Sequence, residues 1–153
     1  MKIENLGNLI DIYDSYRKPL SKMQRASKPG DVPYYGANGV IDHVDSYLFE
    51  GEYILFAEDG TVMTENQTPV IYLTKPSEKF WLNNHAHIFK PKSIEIKYLF
   101  YALKNIKISR YVTGAVQPKI NQENLQNIEL KIHESLDMQK HIVDTISFAL
   151  KCL

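Results

Sequence analysis

Gly51-Glu52-Tyr53-Ile54-Leu55-Phe56-Ala57 is the clearest strand in the chain. Its apolar run is short, is entered at Gly51, and is closed by the turn pair Asp59-Gly60. Working outward, Val70-Ile71-Tyr72-Leu73 is a second run of β-branched and aromatic residues. Val40 to Val44 and Tyr47 to Phe49 read as short strands around a turn. Lys79 to Phe89, holding Trp81 and His85-Ala86-His87-Ile88, reads as a strand with a polar turn at Asn83-Asn84. Leu6 to Tyr13 fits a short strand or a turn of helix. Between it and the aromatic stretch Pro33-Tyr34-Tyr35-Gly36-Ala37-Asn38-Gly39-Val40-Ile41 lies Arg17 to Val32. That segment is polar and basic, carries Pro19, Pro29 and Gly30, and reads as an exposed loop.

Helical spacing begins late. Ser93 is placed to cap a helix from about Ile94 to Lys104, with Ile96, Leu99, Phe100 and Leu103 on one face. A loop with Gly114 and Pro118 follows, and Asn121 can cap a short helix carrying Leu125 and Ile128. Leu136, Gln139, Val143, Ile146, Leu150 and Leu153 then recur three and four apart, the heptad spacing of a terminal helix. That stripe serves either packing on its own domain or a seam with a partner or a second copy. The fold class is α+β, a strand-rich body over residues 1–130 and a C-terminal helix over 131–153.

At 153 residues with 44% hydrophobic content, the chain is sized for one domain with a substantial core. No apolar run reaches the length of a membrane span, and Met1-Lys2-Ile3-Glu4-Asn5 lacks the apolar core of a signal peptide. The single cysteine, Cys152, can form no internal disulfide, which suits a reducing cytoplasm. The formal net charge is zero, but the charges are segregated. Arg17, Lys18, Lys22, Arg25 and Lys28 follow one another without an acid. Seven acids from Asp42 to Glu65 are unaccompanied by Lys or Arg, and nine basic residues against two acids run from Lys75 to Lys119. Segregation of this kind allows a basic face on a neutral protein.

Three chemistries fit the residues. His85 and His87, two apart, would share a strand face and could ligate a metal, but no second ligand pair accompanies them. Asp59 with Glu95-Ile96-Lys97 has the spacing of a metal-dependent nuclease, in which metal and lysine stabilise phosphoryl displacement. The same carboxylates equally suit an Asp-Gly turn and the first turn of a helix. The third chemistry is recognition. Tyr34, Tyr35, Asn38, Asn83, Asn84, Gln117, Lys119 and Asn121 are types that hydrogen-bond or stack on nucleic acid, and Lys and Arg grip phosphates.

Five blocks in order carry a resemblance. Tyr34-Tyr35-Gly36-Ala37-Asn38-Gly39, Phe49-Glu50-Gly51-Glu52-Tyr53-Ile54-Leu55 and Ala57-Glu58-Asp59-Gly60 come first. Phe80-Trp81-Leu82-Asn83-Asn84-His85-Ala86-His87-Ile88 follows, then Gly114 with Gln117-Pro118-Lys119-Ile120-Asn121-Gln122-Glu123-Asn124-Leu125. In this order and spacing, from about Leu6 to Val143, the chain resembles the DNA-recognition domain of type I restriction–modification specificity subunits.

The resemblance implies a non-catalytic α+β target-recognition domain that reads one half of a split double-stranded DNA target and is followed by a helix. It implies partners, a DNA methyltransferase subunit and a restriction subunit. It also implies that this chain binds no cofactor, with methyl donor and ATP held by those partners. The sequence departs from the family in holding one recognition domain where a full subunit usually has two. Its terminal helix is far shorter than a family spacer, and Leu130 to Ser135 lacks the family's prolines.

A half-subunit that dimerises through Leu136, Val143, Ile146, Leu150 and Leu153 would read a symmetric, interrupted target. The expected DNA contacts are Arg17, Lys18, Lys22, Arg25, Lys28, Tyr35, Asn38, Lys75, Lys79, Asn83, Asn84, Gln117 and Lys119. Within that set, the basic segment from Arg17 to Lys28 and the Lys75 to Lys79 segment are the stronger candidates, with Tyr34 to Gly39 a scaffold. A nuclease using Asp59, Glu95 and Lys97, and a protein-binding regulator that has lost DNA affinity, are the alternatives.

Overall fold

A computed structural model describes all residues from Met1 to Leu153. In chain order the elements are β1 (Lys2–Asn5), β2 (Ile10–Ile12), α1 (Lys22–Ala26), β3 (Val32–Gly36), β4 (Gly39–Val44), β5 (Phe49–Glu50), β6 (Ile54–Ala57) and β7 (Ile71–Leu73). They continue with β8 (Lys79–Leu82), β9 (Ala86–Pro91), α2 (Ile96–Lys104), α3 (Gln122–Gln126), β10 (Glu129–Ile132) and α4 (Leu136–Lys151). The fold is α+β, as the sequence leads one to expect.

Strand β6 organises the molecule. All four of its residues are buried, so it shows no polar alternation. Ile54 and Phe56 point into a core of 18 buried residues shared with Phe89, Leu99, Leu103, Leu125 and Val143. Leu55 points the other way, into a second cluster with Phe49, Phe80, Leu82 and Ile88. A strand covered on both faces reads as a continuous apolar run. Antiparallel strands in the order β2-β9-β6-β7 make this wall. Helices α2, α3 and α4 contribute to the core on one side of it. A second sheet, ordered β4-β3-β8-β5, flanks the other side, with β3 and β8 parallel at Tyr34↔Trp81 and Tyr35↔Leu82. Strands β1 and β10 form a separate antiparallel pair.

Several local expectations change. The Arg17 to Val32 segment contains α1, started by a capping box: Ser21 Oγ accepts from the Gln24 N–H at 3.1 Å and Gln24 Oε1 accepts from the Ser21 N–H at 2.8 Å. Strands β4 and β5 do not pair with each other; β4 joins β3, and β5 joins β8. The strand expected from Lys79 to Phe89 does turn at Asn83-Asn84, and its two arms are separate strands in two sheets. Glu95, not Ser93, caps α2, its Oε2 accepting from the Tyr98 N–H at 2.6 Å. The boundary expected between 130 and 131 cuts β10, and Lys131 and Ile132 pair with Ile3 and Lys2.

Candidate nucleic-acid interface

The Tyr-Tyr-Gly-Ala-Asn-Gly stretch builds the second sheet. It forms most of β3 and the two-residue turn Ala37-Asn38 leading to β4, with Gly36 paired to Gly39. Gly39 has φ +113°, which an L side chain rarely adopts. Tyr34 is buried, and its hydroxyl accepts from the Leu20 N–H at 2.9 Å and bonds the Leu20 carbonyl at 3.3 Å. The Tyr35 hydroxyl donates to Glu78. Burial, with the Glu78 carboxylate beside it, holds the Tyr35 phenol well above its ordinary range. Asn38 Nδ2 donates to the Thr61 carbonyl at 2.8 Å. Tyr34 is enclosed and Tyr35 half-buried, and the exposed Asn38 has its amide engaged by the protein's own backbone.

On this sheet the Leu20 segment and α1 cover Tyr34, Val44 and Trp81, which with Leu20 make a small core. Trp81 Nε1 donates to the Lys18 carbonyl at 2.7 Å, fastening the segment down. The basic side chains then sit around the aromatic platform. Arg25 lies 5.1 Å from the Tyr34 ring centroid and donates to Asp42 Oδ2 at 2.8 Å. The Lys28 ammonium lies 5.9 Å from the Trp81 ring centroid and 3.5 Å from Asp45. From β8, Lys79 stands over Tyr47 at 5.1 Å. Lys75 adjoins Pro33 and Tyr35 in a shallow surface depression. Lys18, Lys22, Lys75 and Lys79 are exposed and have no carboxylate within 4 Å.

A second group gathers at the C-terminal end of β6. Arg17 is drawn inward there. It donates from Nη1 to Glu58 Oε2 at 2.6 Å and to the Ala86 carbonyl at 2.9 Å, and from Nε to the Asp14 carbonyl at 2.9 Å. The buried His87 bonds Asp14 Oδ2 through Nδ1 at 2.6 Å and the Ile120 carbonyl through Nε2 at 2.7 Å. Asp14 Oδ1 accepts from the Ile88 N–H at 2.9 Å, and no buried side-chain polar atom lacks a partner. His85, in the turn before β9, faces Asp59 at 2.8 Å instead of sharing a face with His87.

This node carries the loop that presents Gln117 and Lys119. The Ile120 N–H donates to the Glu58 carbonyl, and Thr113 pairs with Lys119. Gly114 is required in that loop, since a Cβ there would lie 2.2 Å from the Gln117 carbonyl oxygen. Gln117, Lys119 and Asn84 are exposed; Asn83 is buried, its Oδ1 accepting from the His85 N–H at 2.9 Å. Sequence reasoning passed over Asp14, Glu58 and His87 as a unit, because they lie 44 and 29 residues apart and meet only through sheet pairing. The nuclease alternative gains no support: Glu95 caps α2 and Asp59 pairs with His85.

On α4, Gln139 and Val143 are buried while Ile146 is half-buried. Leu136, Leu150 and Leu153, which continue the same stripe, are exposed.

Residues 1–151 match the model of the type I restriction modification DNA specificity domain family. A Haemophilus influenzae protein described as a type I restriction enzyme specificity subunit is 34% identical over 139 residues, which are 90% of this chain and 34% of that protein. The chain thus spans about a third of that relative's length. A crystal structure of a type I restriction-modification S subunit from M. genitalium superposes with a TM-score of 0.75 at 15% identity, over 96% of this chain and 38% of that one. An HsdS subunit from Thermoanaerobacter tengcongensis gives a TM-score of 0.58 at 16% identity, over 98% of this chain and 37% of that one. At such identities the two structures speak for the fold alone. With the family match spanning almost every residue, the chain belongs to the type I restriction modification DNA specificity domain family.

Proposed function

We propose that this chain is a non-catalytic, sequence-specific DNA recognition module that reads one half of a split target and directs methyltransferase and restriction subunits to it. The observation that carries this reading is the family match over residues 1–151, joined to four exposed lysines without acidic partners around one aromatic-backed sheet. Lys18, Lys22, Lys75 and Lys79 supply phosphate contacts that position the domain. Asn84, Gln117 and Lys119, on loops held by the buried node, are the candidates for base edges. Asn83 and Arg17 hold the Asn84 turn and the node beneath it, while Tyr35 and Asn38 brace the second sheet through Glu78 and the Thr61 carbonyl. The exposed end of the α4 stripe docks a methyltransferase subunit or a second copy. Methyl donor and ATP belong to the partner subunits.

Selection from pooled random duplexes tests this, with the chain alone and with a cognate methyltransferase subunit. An enriched sequence is the expected outcome, interrupted and symmetric where the chain dimerises. Absence of enrichment in both arms overturns the reading. Cleavage of plasmid in magnesium by the purified chain, abolished by Lys97→Ala, would support the nuclease instead.

A further inference from the structure

A closed ring of hydrogen bonds ties α4 to the rest of the molecule. Gln139 Oε1 accepts from the Glu95 N–H at 2.9 Å. Gln139 Nε2 donates to the His133 carbonyl at 2.7 Å. The His133 N–H donates to the Tyr98 hydroxyl at 2.9 Å, and the Tyr98 N–H donates to the Glu95 carboxylate at 2.6 Å, which closes the ring. Four residues from three places meet here: the N-terminal cap and first turn of α2, the end of β10, and the first turn of α4. Gln139 is 1% exposed and is the one polar member of an otherwise apolar stripe with Val143, Ile146, Leu150 and Leu153.

An apolar residue at that position would hold α4 against α2 equally well by burial, but would allow it to slide or turn. An amide whose oxygen and nitrogen each have one backbone partner permits a single register. Both partners are groups left over where elements end: the N–H of a helix cap and a carbonyl just past a strand. Gln139 satisfies both, so any rotation of α4 takes the partner from two half-buried backbone groups at once.

We propose that Gln139 is a positioning residue that fixes the direction in which α4 leaves the recognition domain, and thereby the separation at which a second recognition domain is held. The second half of this statement rests on the proposed function; the first does not. Cys152, the single cysteine, is exposed at the end of α4 and takes a nitroxide label directly. A second label at Glu65→Cys, in an exposed turn of the body, reports the α4 direction as a distance by pulsed electron paramagnetic resonance.

The expected result is one narrow distance in the otherwise native chain and a broadened distribution in Gln139→Met, with unchanged far-ultraviolet circular dichroism. A folded Gln139→Met with a distribution as narrow as the parent overturns the proposal. Should Gln139→Met not fold, Gln139→Glu decides. It keeps the acceptor for the Glu95 N–H and loses the donor to His133, so broadening supports the lock and an unchanged width overturns it. On the selected DNA target, lengthening the spacer by one base pair is expected to weaken the parent far more than the Gln139 variant, and equal loss in both overturns the link to spacing. Broadening without any DNA binding leaves the lock standing and removes the recognition reading.

Discussion

Two regions of this molecule use the same kinds of residue for opposite ends. At the C-terminal end of β6, Arg17 and His87 are enclosed with Asp14 and Glu58, and nearly every polar atom is spoken for. Around the second sheet, Lys18, Lys22, Lys75 and Lys79 stand in solvent with no carboxylate in reach. Arg17 and Lys18 are neighbours in sequence yet belong to different regions. Enclosed charges are neutralised and set loop positions, so they present little field to a partner. Solvated, unpaired charges add little to folding and are free to attract phosphate.

Arg17 separates the two regions most sharply. Arg17→Met leaves the enclosed Glu58 with only the more distant Lys119 ammonium, 3.9 Å from Oε1, and Asp14 with only His87 and the Ile88 N–H, which costs about 3–5 kcal/mol of folding stability. Equilibrium unfolding in urea measures it, and a loss below about 1 kcal/mol would place Arg17 with the surface lysines. The mirror experiment replaces Lys18, Lys22, Lys75 and Lys79 together by Gln. Stability is expected to stay within about 0.5 kcal/mol per site. Binding to arbitrary duplex DNA should depend less on salt, with the log–log slope shallower by about 0.9 for each lysine that meets a phosphate. An unchanged slope would remove these four residues from the interface.

Which arginine would turn inward was not legible beforehand, and the reason is physical. Arg17 and Lys18 sit in the same basic, proline-flanked segment. Only the arrival of Glu58 at 41 residues' separation and the Ala86 carbonyl at 69 decides their fates. Strand β6 was legible because burial on both faces writes an unbroken apolar run, Ile54 to Ala57. The short helix after Asn121 was legible from its cap, since a side-chain oxygen accepting the N–H three residues on is a local event. The β1–β10 pair was not, because Lys2-Ile3-Glu4-Asn5 is largely polar and exposed and its partner lies over 120 residues away. The turn between β8 and β9 was legible from Asn83-Asn84, but its carrying the chain from one sheet to the other was not, because distant partners decide which strands β8 and β9 join. Of the candidate DNA residues, Lys18, Lys22, Lys75, Lys79, Asn84, Gln117 and Lys119 are exposed, whereas long-range partners draw Arg17 and Tyr35 inward and Asn83 is buried in its turn.

Arg25 and Asp42 lie between the two regions and sharpen the distinction with the smallest effect. Arg25 is mostly enclosed, against the Tyr34 ring and the Leu20 carbonyl, whereas Asp42 is open to solvent. The guanidinium bonded to Asp42 Oδ2, helped by the His43 N–H on Oδ1, holds that carboxyl below its ordinary value. Where the folded state lowers a carboxyl's pKa, the unfolded chain binds the proton more readily. The pair's contribution is therefore complete above the ordinary aspartate range, about pH 4, and is lost as pH falls through the lower folded value. Asp42→Asn should lower stability at neutral pH by the small amount a surface pair contributes and flatten this part of the acid limb between roughly pH 2 and 4, so that parent and variant converge at low pH. Unfolding midpoints measured across that window decide it. A neutral-pH loss as large as that of Arg17→Met would mean that Asp42 belongs to the enclosed kind. Midpoints of parent and variant that stay parallel to pH 2 would show that Arg25 gains nothing from this carboxylate, and that its guanidinium, like the four lysines, is available to DNA.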